Sequence, residues 1–155
     1  MRYFALIALS VLPLLAQAVE VGERVAPWTL LDQYDQAYTL NDQAQILLVA
    51  RSMDAAKQVD AALQGQPKGY LEARHAVFVA DIRRMPRLVA TLFAVPAMRA
   101  YNYRVMLDRD ARIAPRYPGP VDKVLWLQLA NGKLVGQREY GSAADLRQAL
   151  ELAAP

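Results

Sequence analysis

Ile46-Leu47-Leu48-Val49-Ala50 runs directly into Arg51-Ser52-Met53-Asp54, and Ala76-Val77-Phe78-Val79-Ala80 later repeats the same apolar texture before Asp81. Short, unbroken apolar runs rich in β-branched residues are the pattern of strands covered on both faces. Between them Ala56, Val59, Ala62 and Leu63 fall on one side of a helix, with Ser52 or Asp54 available as N-cap. Gly65-Gln66-Pro67-Lys68-Gly69 closes that helix. Strand, helix and strand in this order predict a parallel pair joined by a crossover, the core of an α/β fold.

The flanking segments extend the pattern. Met85, Leu88, Val89, Leu92 and Phe93 recur at i, i+3, i+4, i+7 and i+8, which predicts an amphipathic helix, and Pro86 suits its first turn. Upstream, Trp28–Leu31 and Tyr38-Thr39-Leu40 are short apolar runs on either side of the polar stretch 32–36. Downstream, residues 103–107 read as a strand, Asp108-Arg109-Asp110-Ala111 as a turn and Tyr117-Pro118-Gly119-Pro120 as a stiff loop. Residues 124–129 and 134–139 are strand-like and separated by Asn131-Gly132, the strongest short hairpin signal. Ser142 three residues before Asp145 resembles a capping box, and Leu146, Ala149, Leu150 and Ala153 form one face of a closing helix. No repeat or linker interrupts the series. One domain over residues 19–155 is expected, with a mixed central sheet carrying helices on both faces.

Composition narrows the function. The chain has 155 residues, 55% hydrophobic and 21% charged, as a globular domain does. Its formal net charge of +3 is too small for bulk neutralisation of nucleic-acid phosphates. Cysteine is absent, so disulfides, a thiol nucleophile, Cys-ligated zinc and iron–sulfur clusters are excluded. No Gly-x-Gly-x-x-Gly occurs and the chain has only 7 glycines, which argues against a dinucleotide site. No cofactor and no metal site is expected: the single histidine, His75, and scattered carboxylates make no ligand cluster.

The first residues read as a delivery segment. Met1-Arg2 is a short positive start, residues 3–15 are almost wholly apolar, and Ala16-Gln17-Ala18 has small residues at the positions a signal peptidase requires. The run is shorter than the roughly 20 apolar residues a membrane span needs. A signal peptide over 1–18, cleavage after Ala18 and a periplasmic or secreted chain without a remaining transmembrane helix are expected. Such a chain forgoes the disulfides its compartment permits and relies on its apolar core.

This arrangement resembles the thioredoxin-like superfamily. Val21-Gly22-Glu23-Arg24-Val25-Ala26-Pro27-Trp28-Thr29-Leu30 is similar to the opening of peroxiredoxins and related redoxins, and residues 105–111 resemble their aspartate turn. The likeness spans nearly all of residues 21–153 and is nearest the small, cysteine-free periplasmic YtfJ-type branch. In redoxins the first strand of the βαβ unit delivers a cysteine to the following helix N-terminus, where dipole and free N–H groups stabilise a thiolate. Here that junction is Ala50-Arg51-Ser52-Met53-Asp54. Thiol–disulfide exchange and thiol peroxidase activity are excluded, so the resemblance implies fold and not activity. The superfamily also places a cis-proline before the hairpin strand. Pro118 and Pro120 are near that place, and 121–123 could occupy it instead.

Several side chains qualify as candidates, each with a plainer role beside the chemical one. Ser52 could be a nucleophile in the vacated slot, but it lacks a base, since His75 begins a different strand; capping the helix is the simpler role. Asp81 and Arg51 end neighbouring strands, where open α/β sheets gather ligand-binding groups, and could equally form a structural ion pair. Asp108 and Asp110 lack the spacing of a calcium loop and suit local turn hydrogen bonds.

Charge placement is the most unusual feature. Residues 83–116 contain eight arginines (83, 84, 87, 99, 104, 109, 112 and 116), no lysine and only two acids, with Tyr101 and Tyr103 among them. Guanidinium forks and tyrosine faces are interface chemistry. Arg83, Arg84, Arg87, Arg99, Tyr101, Tyr103 and Arg104 are therefore expected to form one binding patch for an acidic protein, an anionic headgroup or an anionic small molecule. The main expectation is a non-catalytic binding or accessory module. The alternative is a hydrolase or small-ligand enzyme that reuses the former redox pocket through Arg51, Ser52 and Asp81.

Overall fold

The computed structural model describes residues 18–154; nearly all of the expected signal peptide lies outside the described residues. Seven strands and four α-helical segments follow in order: β1 (Thr29–Leu31), β2 (Ala37–Thr39), β3 (Ile46–Ala50), α1 (Met53–Leu63), β4 (Ala76–Asp81), α2 (Arg87–Val89), α3 (Val95–Met98), β5 (Met106–Asp108), β6 (Val124–Ala130), β7 (Lys133–Tyr140) and α4 (Ala143–Leu152). The main sheet has the order β5-β4-β3-β6-β7. The β5-β4 and β4-β3 pairs are parallel, whereas β3-β6 and β6-β7 are antiparallel. The two runs that opened the argument thus lie side by side near the middle of the sheet, Ile46 opposite Ala76 and Ala50 opposite Ala80.

Alternation divides the core into two layers. Ile46, Leu48, Ala50, Phe78, Ala80, Leu107, Val124 and Trp126 face one side, where α1 contributes Ala55, Val59, Ala62 and Leu63 and α4 contributes Leu146 and Leu150. Leu47, Val49, Val77, Val79, Met106, Leu125 and Leu127 face the other side. That second face is covered by Trp28 and Leu30 of the β1–β2 region and by the short 3₁₀ turn Ala114–Arg116 with Ile113 and Tyr117, so among the described residues no α-helix lies on it. The α/β class with a mixed sheet holds, and the covering of the far face differs from expectation. With segments only three residues long on that side, a hairpin and a turn are enough to bury it. Trp28 donates its indole N–H to the Tyr117 hydroxyl at 3.0 Å, which satisfies both buried polar tips.

Local signals are realised at the turns and caps. Asn131 and Gly132 both have positive φ (51° and 78°), as the two-residue β6–β7 turn demands. Ser52 caps α1 by accepting from Ala55 N, and Ser142 caps α4 by accepting from Asp145 N. The strand expected over 103–107 is shorter and later, at 106–108. Gln33 explains the shift. It is fully buried, donates to the carbonyls of Met98 and Tyr103, and accepts from Val105 N, which diverts that backbone from the ladder.

The largest departure is the helix after β4. An amphipathic helix ordinarily turns its apolar row to the core, but Leu88, Leu92 and Phe93 are 73%, 60% and 69% exposed. Ala90 and Val95 are buried instead. Residues 90–94 form a wide turn in which Val95 N donates to Ala90 O, and Pro96 follows immediately. Proline has no N–H to offer and its ring would crowd the carbonyl four residues back, so the wide turn accommodates it. The added residue per turn rotates the apolar row outward.

Candidate functional site

The carboxyl ends of β3 and β4 open onto a cleft of about 410 Å³. Arg51, Ser52 and Asp81 all line it, together with Met53, Ile82, Met85, Pro86 and Met98. The crossover geometry dictates this placement: parallel neighbours end at the same edge, so their first loop residues share a rim. The three polar side chains do not bond to one another. Ser52 Oγ is the helix cap, Asp81 Oδ1 accepts from Arg83 N at 3.0 Å, and Arg51 Nη1 donates to the Gly119 carbonyl at 2.9 Å. No ion pair joins Arg51 and Asp81 within 4.0 Å among the described residues. His75 precedes β4, at the opposite end of the strand from Asp81, so it offers Ser52 no base. Apart from Arg84 at its border, the remaining lining is methionine, proline and aliphatic carbon, a surface that receives an apolar group.

Six of the seven arginines and tyrosines divide between two hollows, and Arg99 lines neither. Arg83, Arg84 and Arg87 join Arg109 around a hollow of about 660 Å³ whose single acid is Asp110. Arg84 also borders the β3–β4 cleft, so the two are continuous at that side chain. None of Arg83, Arg84 and Arg87 forms an ion pair among the described residues. Tyr101, Tyr103 and Arg104 line a separate hollow with Tyr34, Lys68 and Glu72. Arg99 stands behind it, donating Nε to the Gln33 carbonyl at 2.9 Å.

This second group is tied into the fold. Arg104 Nε donates to Asp32 Oδ2 at 2.8 Å, and Asp32 is wholly buried. Burial alone would raise the Asp32 carboxyl; hydrogen bonds from Gln36 N, the Arg104 side chain and Tyr34 N, with the Arg104 charge, outweigh it and hold the group below its usual range. Tyr103 donates to Asp60 Oδ1 at 2.9 Å and stacks on Tyr101 with ring centroids 4.8 Å apart. Burial, then the bond to Asp60, pushes the Tyr103 phenol far above its ordinary value. Asp108 is likewise structural: its two oxygens accept from Arg112 N, Ile113 N and Ala114 N. Asp110 is exposed at the rim of the arginine hollow. Pro118 and Pro120 lie beside the Arg51 contact at Gly119, and no cis peptide bond occurs among the described residues.

Sequence reasoning missed Asp32 and Gln33, which anchor the second hollow. Their only signal was two polar residues directly after an apolar strand, a pattern shared with ordinary turns.

A mixed five-stranded sheet, βαβ core, antiparallel hairpin and closing helix make this an α/β thioredoxin-like fold, here without cysteine. Solved structures bear this out. The thioredoxin domain of a thiol-disulfide oxidoreductase from Bacteroides vulgatus matches with a TM-score of 0.56 at 15% identity, over 89% of this chain and 100% of that one. A protein assigned as the thiol:disulfide interchange protein DsbE from Chlorobium tepidum matches at 0.57 and 16% identity, covering 88% and 96%. Peroxidoxin BcpB from Mycobacterium tuberculosis matches at 0.53 and 14% identity, covering 87% and 97%. No family model matches the chain, and no curated protein is similar to it in sequence.

Proposed function

We propose that the chain is an exported, non-catalytic binding module, one domain from residue 19 onward, that holds an anionic partner at the β3–β4 cleft. The observation that carries this reading is the state of the cleft's polar groups. Ser52, Asp81 and Arg51 are each engaged in holding backbone, while the walls are apolar and Arg83, Arg84 and Arg87 stand unpaired beside them. A partner that inserts an apolar side chain and places carboxylates on the arginines satisfies both surfaces. Export rests on the charged start, apolar run and small-residue exit of residues 1–18. Tyr101, Tyr103 and Arg104 would add contacts in the second hollow, with Arg99 beside it.

The test is amide chemical-shift titration of the chain with a synthetic peptide of alternating acidic and leucine residues. Shifts at Arg51–Met53 and Ile82–Arg84 are expected. R83A/R84A/R87A should weaken binding at least tenfold, since each charge-assisted contact is worth about 1.5–3 kcal/mol in a desolvated site and less at a rim. No shift in the cleft would defeat the reading.

A second reading is favoured by one observation: Arg51, Ser52 and Asp81 do share a cleft. It makes Ser52 a hydrolytic nucleophile. Turnover of activated esters or phosphate esters that S52A abolishes would establish it; equal background rates for S52A and the parent chain would remove it.

A further inference from the structure

The outward face of the segment that runs through α2 and α3 plays no part in the cleft. Leu88, Leu92 and Phe93 are spaced i, i+4 and i+5 across the wide turn, which puts them on one side, and Val89 beside them is 43% exposed. Four large apolar side chains standing in water on one short helical face are costly to leave uncovered, at roughly 25 cal/mol for each Å². At the amino end of this face lie Arg83, Arg84 and Arg87, all exposed and free of ion pairs among the described residues. The nearby acids offset only part of this charge: Asp81 and Asp110 are two carboxylates beside four arginines, of which only Arg109 has an ion-pair partner, Asp35 at 3.9 Å, among the described residues.

We infer that this face docks on the surface of an anionic phospholipid bilayer, with Leu88, Leu92 and Phe93 entering the acyl boundary and Arg83, Arg84 and Arg87 on the headgroup phosphates. The charge distribution selects this occupant. An apolar helix face rimmed by cations is the construction of an interfacial helix. Arginine also suits the position, because its stem lies along apolar surface while its fork reaches phosphate bidentately. A second copy of the chain would bring like-charged arginine clusters together. The inference does not use the cleft's Ser52, Met53 and Asp81, but it shares Arg83, Arg84 and Arg87 with the cleft reading, so the apolar face of Leu88, Leu92 and Phe93 is what separates the two.

Because the chain has no cysteine, one introduced at a chosen site is a unique attachment point. L88C carrying an environment-sensitive dye is compared with Q137C, which places the dye on exposed β7 at the opposite edge of the sheet from β5. The full chain is mixed with vesicles of phosphatidylcholine alone or with phosphatidylglycerol, with brominated acyl chains as depth quencher. The position-88 dye should shift to the blue and be quenched on phosphatidylglycerol vesicles, with the position-137 dye silent. This readout is local, so insertion of residues 1–18 alone leaves it unmoved. Each arginine replaced by alanine should weaken partitioning about fivefold, at about 1 kcal/mol per cation near an anionic surface. L92D/F93D should abolish the blue shift with unchanged circular dichroism. The inference is overturned if the position-88 dye stays aqueous, if it responds equally to both vesicle types, or if position 137 responds as strongly. A blue shift without vesicles that grows with protein concentration, or one driven by the acidic peptide, also overturns it by naming another occupant. A silent cleft together with a bilayer-embedded residue 88 supports it and defeats the cleft reading alone.

Discussion

Replacing Asp32 by asparagine should cost about 2 kcal/mol of folding stability at neutral pH and remove a specific acid sensitivity. In the native chain Oδ1 accepts from Tyr34 N at 2.8 Å and from Gln36 N at 3.0 Å, while Oδ2 accepts from Arg104 Nε at 2.8 Å. Asparagine can keep a carbonyl oxygen on the two amides, but then turns its NH₂ towards the guanidinium, donor against donor. One charge-assisted bond to a buried carboxylate is therefore lost, worth about 1.5–3 kcal/mol. The Arg104 side chain is 34% exposed, so water recovers part of its solvation and pulls the cost towards the lower half of that range.

R104A should cost a similar amount, because it leaves the buried carboxylate with two amide donors only. The double variant D32N/R104A should cost about 1–2 kcal/mol less than the two single costs added, since the pair is removed once. The pH response has a defined sign. Although burial raises the Asp32 carboxyl, its hydrogen bonds and Arg104 hold it below the usual range, so the unfolded chain binds this proton first. The stabilisation is therefore present above the unfolded carboxyl value of about 4 and is lost as pH falls through the lower folded value. Urea unfolding of the parent chain, the two single variants and the double variant at neutral pH and in acid provides the test. The D32N penalty should be full at neutral pH and shrink in acid. A neutral-pH penalty below about 0.5 kcal/mol, the level of ordinary surface changes, or a penalty that does not change with pH, would refute the reasoning.

Three further outcomes can be checked on the same preparations. D108A should cost about 3–5 kcal/mol in urea unfolding, because it strands the buried amides of Ile113 and Ala114 as well as that of Arg112, whereas D110A at the exposed rim should cost little. S52A should cost about 1 kcal/mol through loss of the α1 cap, and S52D should recover most of it while leaving no hydroxyl, so stability and any hydrolysis separate cleanly. In an ultraviolet titration of the eight tyrosines, Tyr38, Tyr101, Tyr103 and Tyr117 should ionise late, since burial raises all four. Their raised values keep the phenols neutral in the fold, so stability holds below about pH 10 and falls as pH rises beyond it. Their absorbance step should coincide with unfolding by circular dichroism.

What could be read from residue order was whatever depends on near neighbours. Two unbroken apolar runs gave the central parallel pair, because only a strand with both faces covered has no use for polar alternation. Ser52, Ser142 and Asn131-Gly132 announced their caps and turn, since each satisfies backbone groups within a few positions of itself. The lack of cysteine by itself excludes thiol–disulfide exchange and thiol peroxidase chemistry. Other features depended on partners far along the chain. Asp32 meets Arg104 and Gln33 meets Tyr103 and Val105 only once β1 lies beside β5, so two residues that read as a turn became the anchor of a hollow. The seven arginines and tyrosines fall within residues 83–104 of the sequence yet separate in space, because the wide turn at 90–94 and the buried Gln33 send the two halves of that segment in different directions. The same turn decided which side of the helix meets the core. A period of apolar residues fixes a stripe, but whether it faces the core or the solvent follows from how many residues each turn holds, and here Pro96 and the burial of Ala90 and Val95 set that number.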